Sequence, residues 1–224
     1  MKNLAILGST GSIGQSTLAV VDAHPSRLTV VALAAGDNVA LLAEQIERYQ
    51  PRVVAMATRE ATAKLRASCG GAVPVLESGA DGLIAVATDP AVDILICASA
   101  GTAGLEAVLA AVEAGKTIAL ANKEVLVMAG KLVMEAARRR GATVLPVDSE
   151  HNAIHQCLHG RNRDEIRRLI LTASGGPFRD STAEALEHAR PEAALRHPTW
   201  RMGRKITVDS ATMMNKGLEV IEAH

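Results

Sequence analysis

The amino-acid sequence predicts an α/β protein, with a doubly wound parallel sheet first and an incomplete α+β domain after it. Short β-branched runs alternate with alanine-rich helical runs over the first two-thirds of the chain. A glycine-rich turn follows the first apolar run, and the alternation stops near Val147. We therefore expect one domain over residues 1–147 and a second over residues 148–224.

The first domain is predicted to hold six strands, each a short run rich in β-branched residues. They are Leu4–Leu7, Leu28–Ala34, Val53–Met56, Ile94–Cys97, Thr117–Leu120 and Thr143–Val147. Five predicted helices alternate with them: Gly14–Ala23, Val39–Arg48, Ala61–Ser68, Leu105–Ala114 and Val125–Arg140. This alternation favours parallel strands, because a helical crossover joins two strands that run in the same direction.

The second domain has a different pattern. We predict a helix over His151–His159, a strand over Ile166–Ala173, and an irregular region over Ser174–Gly203 that contains stretches rich in Gly, Pro and His. A strand over Lys205–Val208 and a closing helix from Ala211 follow. Strands and helices that do not alternate regularly are typical of an α+β fold.

Composition excludes several classes of function. The chain has 224 residues, of which 48% are hydrophobic and 21% charged, and its formal net charge is zero. A neutral chain gives no electrostatic support for nucleic acid or an anionic membrane as a partner. The N-terminal run MKNLAILGSTG is typical of a buried first strand rather than a signal peptide, and no segment approaches the roughly 20 apolar residues that cross a bilayer.

The cysteines indicate the redox environment. Cys69, Cys97 and Cys157 are odd in number and widely spaced, and they form no CxxC motif. Reduced thiols of this kind are typical of a cytoplasmic protein.

The glycine-rich turn carries the first functional signal. Gly8, Gly11 and Gly14 follow the first predicted strand and open the first helix. Glycines there allow a tight turn and close backbone approach, and a helix N-terminus offers N–H groups to a pyrophosphate. The sequence therefore predicts a Rossmann-like dinucleotide site, with a purely structural turn as the alternative.

Two later segments follow strands of the same predicted sheet. Gly36-Asp37-Asn38 lies at the end of the second predicted strand, the usual position of the adenosine ribose. A carboxylate at this position ordinarily accepts a hydrogen bond from the 2′-hydroxyl of NAD and repels the 2′-phosphate of NADP. Asp37 pointing to solvent is the alternative. The run Ala121–Glu124 lies at the carboxyl edge, where open α/β sheets bind ligands. Its alternative is a helix capped by Asn122 and followed by surface charges.

Carboxylates from two separated segments predict a metal site. Asp148 and Glu150 flank Ser149 directly after a predicted strand, and Glu219 is the candidate third ligand. Hard oxygen ligands suit Mg²⁺ or Mn²⁺. The alternative is that Asp148 caps a helix whose first turn contains Glu150.

The closing segment combines a cation, an amide, hydroxyls and a carboxylate. Helical spacing would make Asn215 and Glu219 i,i+4 neighbours, with Lys216 i,i+3 from Glu219. Such a cluster suits a phosphorylated, metal-bound substrate. A solvated helix start with an ordinary Lys–Glu pair is the alternative.

Three further patterns give weaker signals of function. His151, His155 and His159 share one helix face, which we interpret as a solvent-facing or partly packed stripe, because HExxH and Cys partners for zinc are missing. Ser174-Gly-Gly-Pro177 is either a backbone nest for phosphate or a plain turn. The loop from His197 to Gly203 is either a flap in which Trp200 covers substrate or a surface loop.

Taken together, these runs resemble the 1-deoxy-D-xylulose-5-phosphate reductoisomerase family. GSTGSIG, ANKE, DSEHNAI, SGGPF, HPTWRMGRK and VDSATMMNKGLE occur in that order across the whole chain. The resemblance implies an NADP-dependent oxidoreductase that converts 1-deoxyxylulose 5-phosphate to 2-C-methylerythritol 4-phosphate in non-mevalonate isoprenoid synthesis. It also implies NADPH as cofactor and a requirement for Mg²⁺ or Mn²⁺.

The resemblance also assigns residues to three roles. NADPH would bind to Thr10, Gly11, Ser12, Ile13, Gly36, Asp37, Asn38, Asn122, Glu124 and Gly203. Asp148, Glu150 and Glu219 would bind the metal and, with Lys123, form the catalytic set. The phosphorylated sugar would contact Lys123, Ser149, Glu150, Ser174, His197, Trp200, Ser210, Asn215, Lys216 and Glu219.

The chain departs from the family pattern in two ways. Asp37 stands where members often carry a basic residue, so we expect a weakened preference for NADPH over NADH. The rest of the catalytic domain and the C-terminal helical domain are also absent. We therefore expect the 224-residue chain to bind NADPH with little or no reductoisomerase activity, and the full-length protein to be a homodimer.

Two other functions remain open. Another NAD(P)-dependent oxidoreductase, such as an aspartate-semialdehyde-type dehydrogenase, needs a catalytic cysteine in a Gly/Asn-rich loop, and none of the three cysteines fits. A non-catalytic dinucleotide-binding sensor has no need of three carboxylates placed to bind a metal.

Overall fold

The protein is described by a computed structural model. The structure describes residues 1–69, 74–200 and 202–224. The chain divides into two compact units, Met1–Val147 and Asp148–His224. Each unit is built around different elements, and each is described by itself.

The first unit is a parallel sheet of seven strands. They are β1 (Lys2–Leu7), β2 (Leu28–Ala35), β3 (Val53–Met56), β4 (Val75–Ser78), β5 (Ile94–Cys97), β6 (Thr117–Leu120) and β7 (Val144–Pro146). Their order across the sheet is β4-β3-β2-β1-β5-β6-β7, and all pairs are parallel. The predicted α/β class and its Rossmann-like sheet are confirmed.

Among the described residues of this unit, six helices connect these strands. They are α1 (Ser12–Ala23), α2 (Val39–Tyr49), α3 (Arg59–Ser68), α4 (Gly79–Thr88), α5 (Leu105–Glu113) and α6 (Glu124–Arg140). Of these elements, β4 and α4 were not predicted from the sequence. The four residues of β4 are too few to show a period, and α4 begins with Gly79 and contains Gly82, which weakens a helical pattern.

Apolar layers cover both faces of the sheet. Successive strand residues point to opposite faces, so Ile6 and Leu7 belong to two different buried clusters. The faces are completed by residues such as Val108 on α5 and Leu42 on α2. Near-complete burial of these aliphatic side chains fixes the sheet, and therefore the loops at its carboxyl edge.

The second unit consists of helices and loops in its described part. The helices are α7 (Ser149–Leu158), α8 (Ala183–Glu187), α9 (Pro191–Ala194), α10 (Arg204–Ala211) and α11 (Met214–Ala223), with a 3₁₀ turn at Arg163–Glu165. Strand residues are absent from the portion of this unit that the structure describes.

The two strands predicted for the second unit are therefore wrong. Residues 166–173 form no ladder, and Leu169 and Ile170 are exposed. Residues 205–208 lie inside α10, where the Thr207 hydroxyl donates to the Gly203 carbonyl at 2.9 Å. The β-branched runs have strand propensity, but a strand also needs a neighbouring strand, and none is present among the described residues of this unit.

A left-handed residue separates α10 from α11. Met213 has φ +61°, so the closing helix begins at Met214 rather than at the predicted Ala211. Gly176, also left-handed at φ +68°, lies against this corner, because a Cβ there would meet the Ser210 carbonyl oxygen at 2.6 Å. The corner therefore places α10, α11 and the turn at Gly175–Gly176 side by side.

None of the helices in the described ranges is long and apolar enough to cross a membrane.

Candidate functional site

The glycine turn lies where the order of the sheet reverses. β1 pairs with β2 on one side and with β5 on the other, which makes this crevice the usual ligand position in such sheets. Gly8 has φ +84°, and a Cβ there would lie 2.5 Å from the Ala98 carbonyl oxygen. A Cβ on Gly14 would lie 2.3 Å from the Gly8 carbonyl oxygen. Side chains are thus excluded at both positions, as close backbone packing requires.

The predicted cofactor residues of the first unit share one edge of the sheet. Thr10–Ile13 follow β1, Gly36–Asn38 follow β2, and Asn122 and Glu124 follow β6. All are carboxyl ends of parallel strands, so the fold brings these three segments to one edge. Gly203, the remaining predicted cofactor residue, belongs to the second unit, where it precedes α10.

Two of these residues, Asn38 and Asn122, also have a structural role, and for Asn122 that role was the alternative expected from the sequence. The Asn38 side chain caps α2 by accepting from the Leu41 N–H at 3.2 Å. The buried Asn122 accepts from the Val125 N–H at 3.3 Å, and its amide donates to the carbonyls of Ser99 and Gly101. Asn122 therefore ties the loop after β5 to the loop after β6.

Lys123 follows Asn122 and is only 5% exposed. A lysine is rarely buried to this extent unless its ammonium is paired. The fold therefore holds a partnered cation at the carboxyl edge, beside the predicted cofactor segments.

Three carboxylates meet within the second unit. Asp148 precedes α7, Glu150 lies in its first turn, and Glu219 lies on α11. One carboxylate oxygen from each lies within 4.8 Å of those of the other two. This spacing allows one cation to contact all three, and oxygen ligands of this kind suit Mg²⁺ or Mn²⁺.

Glu219 is fully buried, so its charge requires compensation. The Asn215 amide donates to Glu219 Oε1 at 2.6 Å, and the Lys216 ammonium contacts Glu219 Oε2. Both i,i+3 and i,i+4 relations predicted from the sequence are present. The unpredicted break at Met213 does not disturb them, because all three residues lie on α11.

Glu150 is held from two sides. Its Oε2 accepts from the Ser149 hydroxyl at 2.6 Å, and its Oε1 lies 3.3 Å from Lys216 Nζ. Burial acts to raise the pKa of Glu150, but the Ser149 hydrogen bond and the charge of Lys216 outweigh it, so the pKa is lowered from its ordinary value. Glu150 is consequently anionic at neutral pH.

A second buried group lies beside this cluster. His151 is buried, and its Nε2 donates to the Glu219 carbonyl at 3.0 Å, which joins α7 to α11. Its Nδ1 lies 3.1 Å from Glu222 Oε2, although this approach lacks hydrogen-bond geometry, and 3.8 Å from Asp148 Oδ2. The predicted histidine stripe is therefore divided, with His155 and His159 exposed.

Glu222 was not predicted from the sequence to belong to this site. Its i,i+3 spacing from Glu219 places both carboxylates on one face of a helix, and this spacing could have indicated that Glu222 lies beside the cluster.

The turn at Ser174 is fastened to the loop that contains His197. His197 Nδ1 accepts from the backbone N–H groups of Thr199 and Trp200, at 3.2 and 2.9 Å. In the neutral ring the proton is then on Nε2, which donates to the Ser174 hydroxyl oxygen at 3.1 Å. The Gly176 N–H also donates to that oxygen, at 3.2 Å. The Ser174 O–H therefore remains available as a donor.

A cleft of about 420 Å³ collects most of the predicted site residues of this unit. Its lining includes Asp148, Ser149, Glu150, Ser174, His197, Trp200, Ser210 and Asn215. A smaller adjoining recess is lined by Lys216. Trp200 is 63% exposed at the cleft wall, and the neighbouring Arg201 of the predicted flap lies outside the described residues.

The fold and the two candidate sites together define a class of protein. Proteins of this class have a parallel sheet of the dinucleotide-binding type and a second, helical unit with an acidic cluster. Residues 4–130 match the family 1-deoxy-D-xylulose 5-phosphate reductoisomerase, and residues 144–224 match the C-terminal domain of the same family. The chain belongs to the 1-deoxy-D-xylulose 5-phosphate reductoisomerase family.

Curated relatives and solved structures agree with this membership. The chain is 60% identical to 1-deoxy-D-xylulose 5-phosphate reductoisomerase of Heliobacterium modesticaldum and 53% identical to that of a Geobacillus strain, in each case over its whole length. It spans 57% and 58% of the length of those two relatives.

Two solved reductoisomerase structures are similar throughout the chain. One, in complex with NADPH, fosmidomycin and magnesium, gives a TM-score of 0.93 at 46% identity and covers 100% of this chain and 57% of that one. The Zymomonas mobilis enzyme in complex with NADPH gives 0.89 at 47% identity, with 99% and 57% covered.

Proposed function

We propose that this chain carries the cofactor, metal and substrate sites of an NADPH-dependent reductoisomerase. The reaction would convert 1-deoxy-D-xylulose 5-phosphate to 2-C-methyl-D-erythritol 4-phosphate in non-mevalonate isoprenoid synthesis. The observation that carries the proposal is the convergence of Asp148, Glu150 and Glu219 within 4.8 Å, from helices that are far apart in sequence. Family membership supplies the reaction that such a cluster would serve.

The carboxylates fit a divalent cation. They offer three hard oxygen ligands, and the lowered pKa of Glu150 keeps that ligand anionic at neutral pH. When bound, the metal would supply Lewis-acid polarisation of the substrate oxygens and NADPH would supply the reducing equivalent. Solved relatives contain magnesium and NADPH, which supports both assignments.

The chain's own donors would orient the substrate. Ser174, Ser210 and Asn215 line the cleft together with Asp148 and Glu150, so hydroxyl and amide groups are available to the sugar backbone and phosphate. The Ser174 oxygen accepts from His197 and from the Gly176 N–H, so its O–H is available as a donor. Trp200 would cover bound substrate and exclude water. Binding energy from the remote phosphate would position the reacting carbons.

The first unit would hold NADPH along the carboxyl edge of its sheet. The glycine turn from Gly8 to Gly14 leaves its backbone close to the crevice between β1 and β5. Thr10–Ile13 would contact the phosphates and Gly36–Asn38 the adenosine end. Asn122, Glu124 and Gly203 would also contact NADPH. Lys123 would join Asp148, Glu150 and Glu219 in the proposed catalytic set.

The test combines binding with turnover. NADPH is titrated by fluorescence and Mn²⁺ by its paramagnetic resonance signal. NADPH oxidation is then followed with 1-deoxy-D-xylulose 5-phosphate, with and without Mg²⁺ or Mn²⁺. Turnover is assayed on the 224-residue chain and on a protein of full family length. We expect the full-length protein to oxidise NADPH only when substrate and metal are both present, with methylerythritol phosphate as the product, and we expect little or no turnover from the 224-residue chain. Oxidation that needs no metal, or failure to bind both NADPH and Mn²⁺, would refute the proposal.

A cysteine-dependent dehydrogenase is less well supported. Cys97 lies at the end of β5 near the candidate cofactor edge, but burial raises the pKa of its thiol to about 11. A thiol with that pKa is protonated at neutral pH and is a poor nucleophile.

A cytoplasmic location and a homodimeric assembly are part of the same proposal. All three cysteines are free thiols, which supports a reducing compartment. Sedimentation velocity measures the assembly directly.

A further inference from the structure

The Lys216 ammonium lies among the carboxylates to which a metal ion would bind. It contacts Oε2 of Glu219 and lies 3.3 Å from Oε1 of Glu150, and its side chain is only 15% exposed. The other Glu219 oxygen accepts from Asn215. Two of the three carboxylates in the cluster therefore already share one ammonium.

The same lysine lines a small polar recess. Ser174, Gly175, Ser210 and Asn215 line it with Lys216 and offer two hydroxyls, a backbone turn and an amide. The Glu150 carboxylate also lines this recess, so an anion fits there only when the charge of Glu150 is compensated by a cation. Its volume of about 20 Å³ is roughly that of one water molecule, so it is the polar end of a site rather than a whole one. Lys216 is thus shared between an acidic cluster and a set of donors.

The single Lys216 ammonium cannot interact equally with the carboxylates and with an anion in the recess. A divalent cation on Glu150 and Glu219 would repel an ammonium bonded to the same carboxyl groups, because like charges a few ångströms apart repel in a partly buried site. The long lysine side chain can move without a change in the backbone.

We infer that Lys216 is an exchangeable counter-cation. It pairs with Glu150 and Glu219 in the metal-free protein, and it leaves them for the donor recess when a divalent cation binds. Metal binding then creates the cationic part of the site for the substrate's phosphate. The inference rests on the proposed function and adds to it an order of binding, with metal before anion.

The first experiment measures metal affinity without substrate. Mn²⁺ is titrated into the wild-type chain, Lys216→Met and Lys205→Met. Lys205 is the matched control, because it also pairs with a carboxylate in the second unit, Asp209 at 2.7 Å, which is outside the cluster. We expect Lys216→Met to bind Mn²⁺ about tenfold more tightly than wild type, because a competing cation is removed. Lys205→Met should match wild type.

The second experiment measures the coupling between metal and anion. Methylphosphonate is titrated into wild type and Lys216→Met, with and without Mg²⁺. In wild type, Mg²⁺ should tighten methylphosphonate binding several-fold, and by linkage methylphosphonate should tighten Mg²⁺ binding equally. In Lys216→Met this coupling should be lost.

A third measurement needs no substitution and so does not depend on the folding of a variant. Amine acetylation of the wild-type chain is read by mass spectrometry, with and without Mg²⁺. Labelling of Lys216, but not of Lys205, should increase severalfold when Mg²⁺ is added, because the ammonium is released from Glu150 and Glu219.

The outcomes separate this inference from the proposed function. Wild type that fails to bind Mn²⁺ overturns both the metal site and the counter-cation. Wild type that binds Mn²⁺, with equal or weaker binding in Lys216→Met, overturns the inference alone and indicates a merely structural lysine. Unchanged acetylation of Lys216 on addition of Mg²⁺ would also overturn it.

Discussion

In Met1–Val147 the candidate site is a set of backbone turns at one edge of a sheet, whereas in Asp148–His224 it is a set of charged side chains on helices. The first site is shaped by glycines that admit no Cβ, and an apolar core on both faces of the sheet supports it. The second has buried carboxylates, an imidazole and an ammonium in place of such a core.

This difference predicts opposite sensitivities. A backbone site is damaged by added volume, because close-packed atoms have no room to move. A side-chain site is damaged by a change of charge at constant volume, because each buried ion depends on its partners. Four substitutions test this contrast between sensitivity to volume and sensitivity to charge.

Glu219→Gln changes charge with almost no change in volume. We expect it to weaken Mn²⁺ binding by about 100-fold or more, because it removes one anionic ligand from the proposed metal site. Titration of Mn²⁺ measures this effect, and Glu184→Gln, an exposed carboxylate on α8, is the control. Mn²⁺ affinity unchanged by Glu219→Gln would remove Glu219 from the site.

Gly14→Ala adds one methyl group to the backbone site. Its Cβ would lie 2.3 Å from the Gly8 carbonyl oxygen, so we expect a loss of about 1–3 kcal/mol in the free energy of unfolding, together with weaker NADPH binding. Gly36→Ala is the matched control, because nothing lies within 4 Å of the added methyl. Its stability should stay within about 0.5 kcal/mol of wild type in denaturant titrations. Equal stability of the two variants would contradict the close-packing argument.

His151→Ala removes the link between α7 and α11. We expect about 1–2 kcal/mol of destabilisation, because the Glu219 carbonyl loses the hydrogen bond that His151 donates to it. His155→Ala, on the exposed side of the same helix, should change stability by less than about 0.5 kcal/mol. Thermal unfolding of both variants measures the difference. A larger loss of stability in His155→Ala than in His151→Ala would contradict the assignment of His151 as the link between the two helices.

Asp37→Lys changes one exposed charge at the first site. We expect NADPH affinity to rise by about fivefold and NADH affinity to change little, because only NADPH has a 2′-phosphate. The hydrogen bond that Lys64 donates to the Glu60 carboxylate raises the pKa of Lys64, and the charge of Asp37 acts in the same direction. The Lys64 ammonium is therefore already close enough to Asp37 to interact with a charge at this position. Fluorescence titration with both cofactors checks the result, and an equal gain for NADH would contradict it.

Local pattern was sufficient for much of the first unit. Strands such as Val53–Met56 and Ile94–Cys97 were predicted with their observed bounds, because β-branched runs between helices have few alternatives. The glycine spacing predicted the turn after β1 for the reason that the structure shows, the exclusion of a Cβ at Gly8 and Gly14. Short or glycine-containing elements such as β4 and α4 were missed because they leave little periodic signal.

The sequence by itself determined the class of the sheet, the family motifs and the residue types of both candidate sites. Only the tertiary structure decided that residues 205–208 are helical, that Met213 breaks the helix, and that His151 and Glu222 lie beside the carboxylates. The physical reason is the range of the interactions. Turns and periodic elements depend on neighbours a few residues apart, whereas strand pairing and buried charge depend on partners that the fold brings from distant positions.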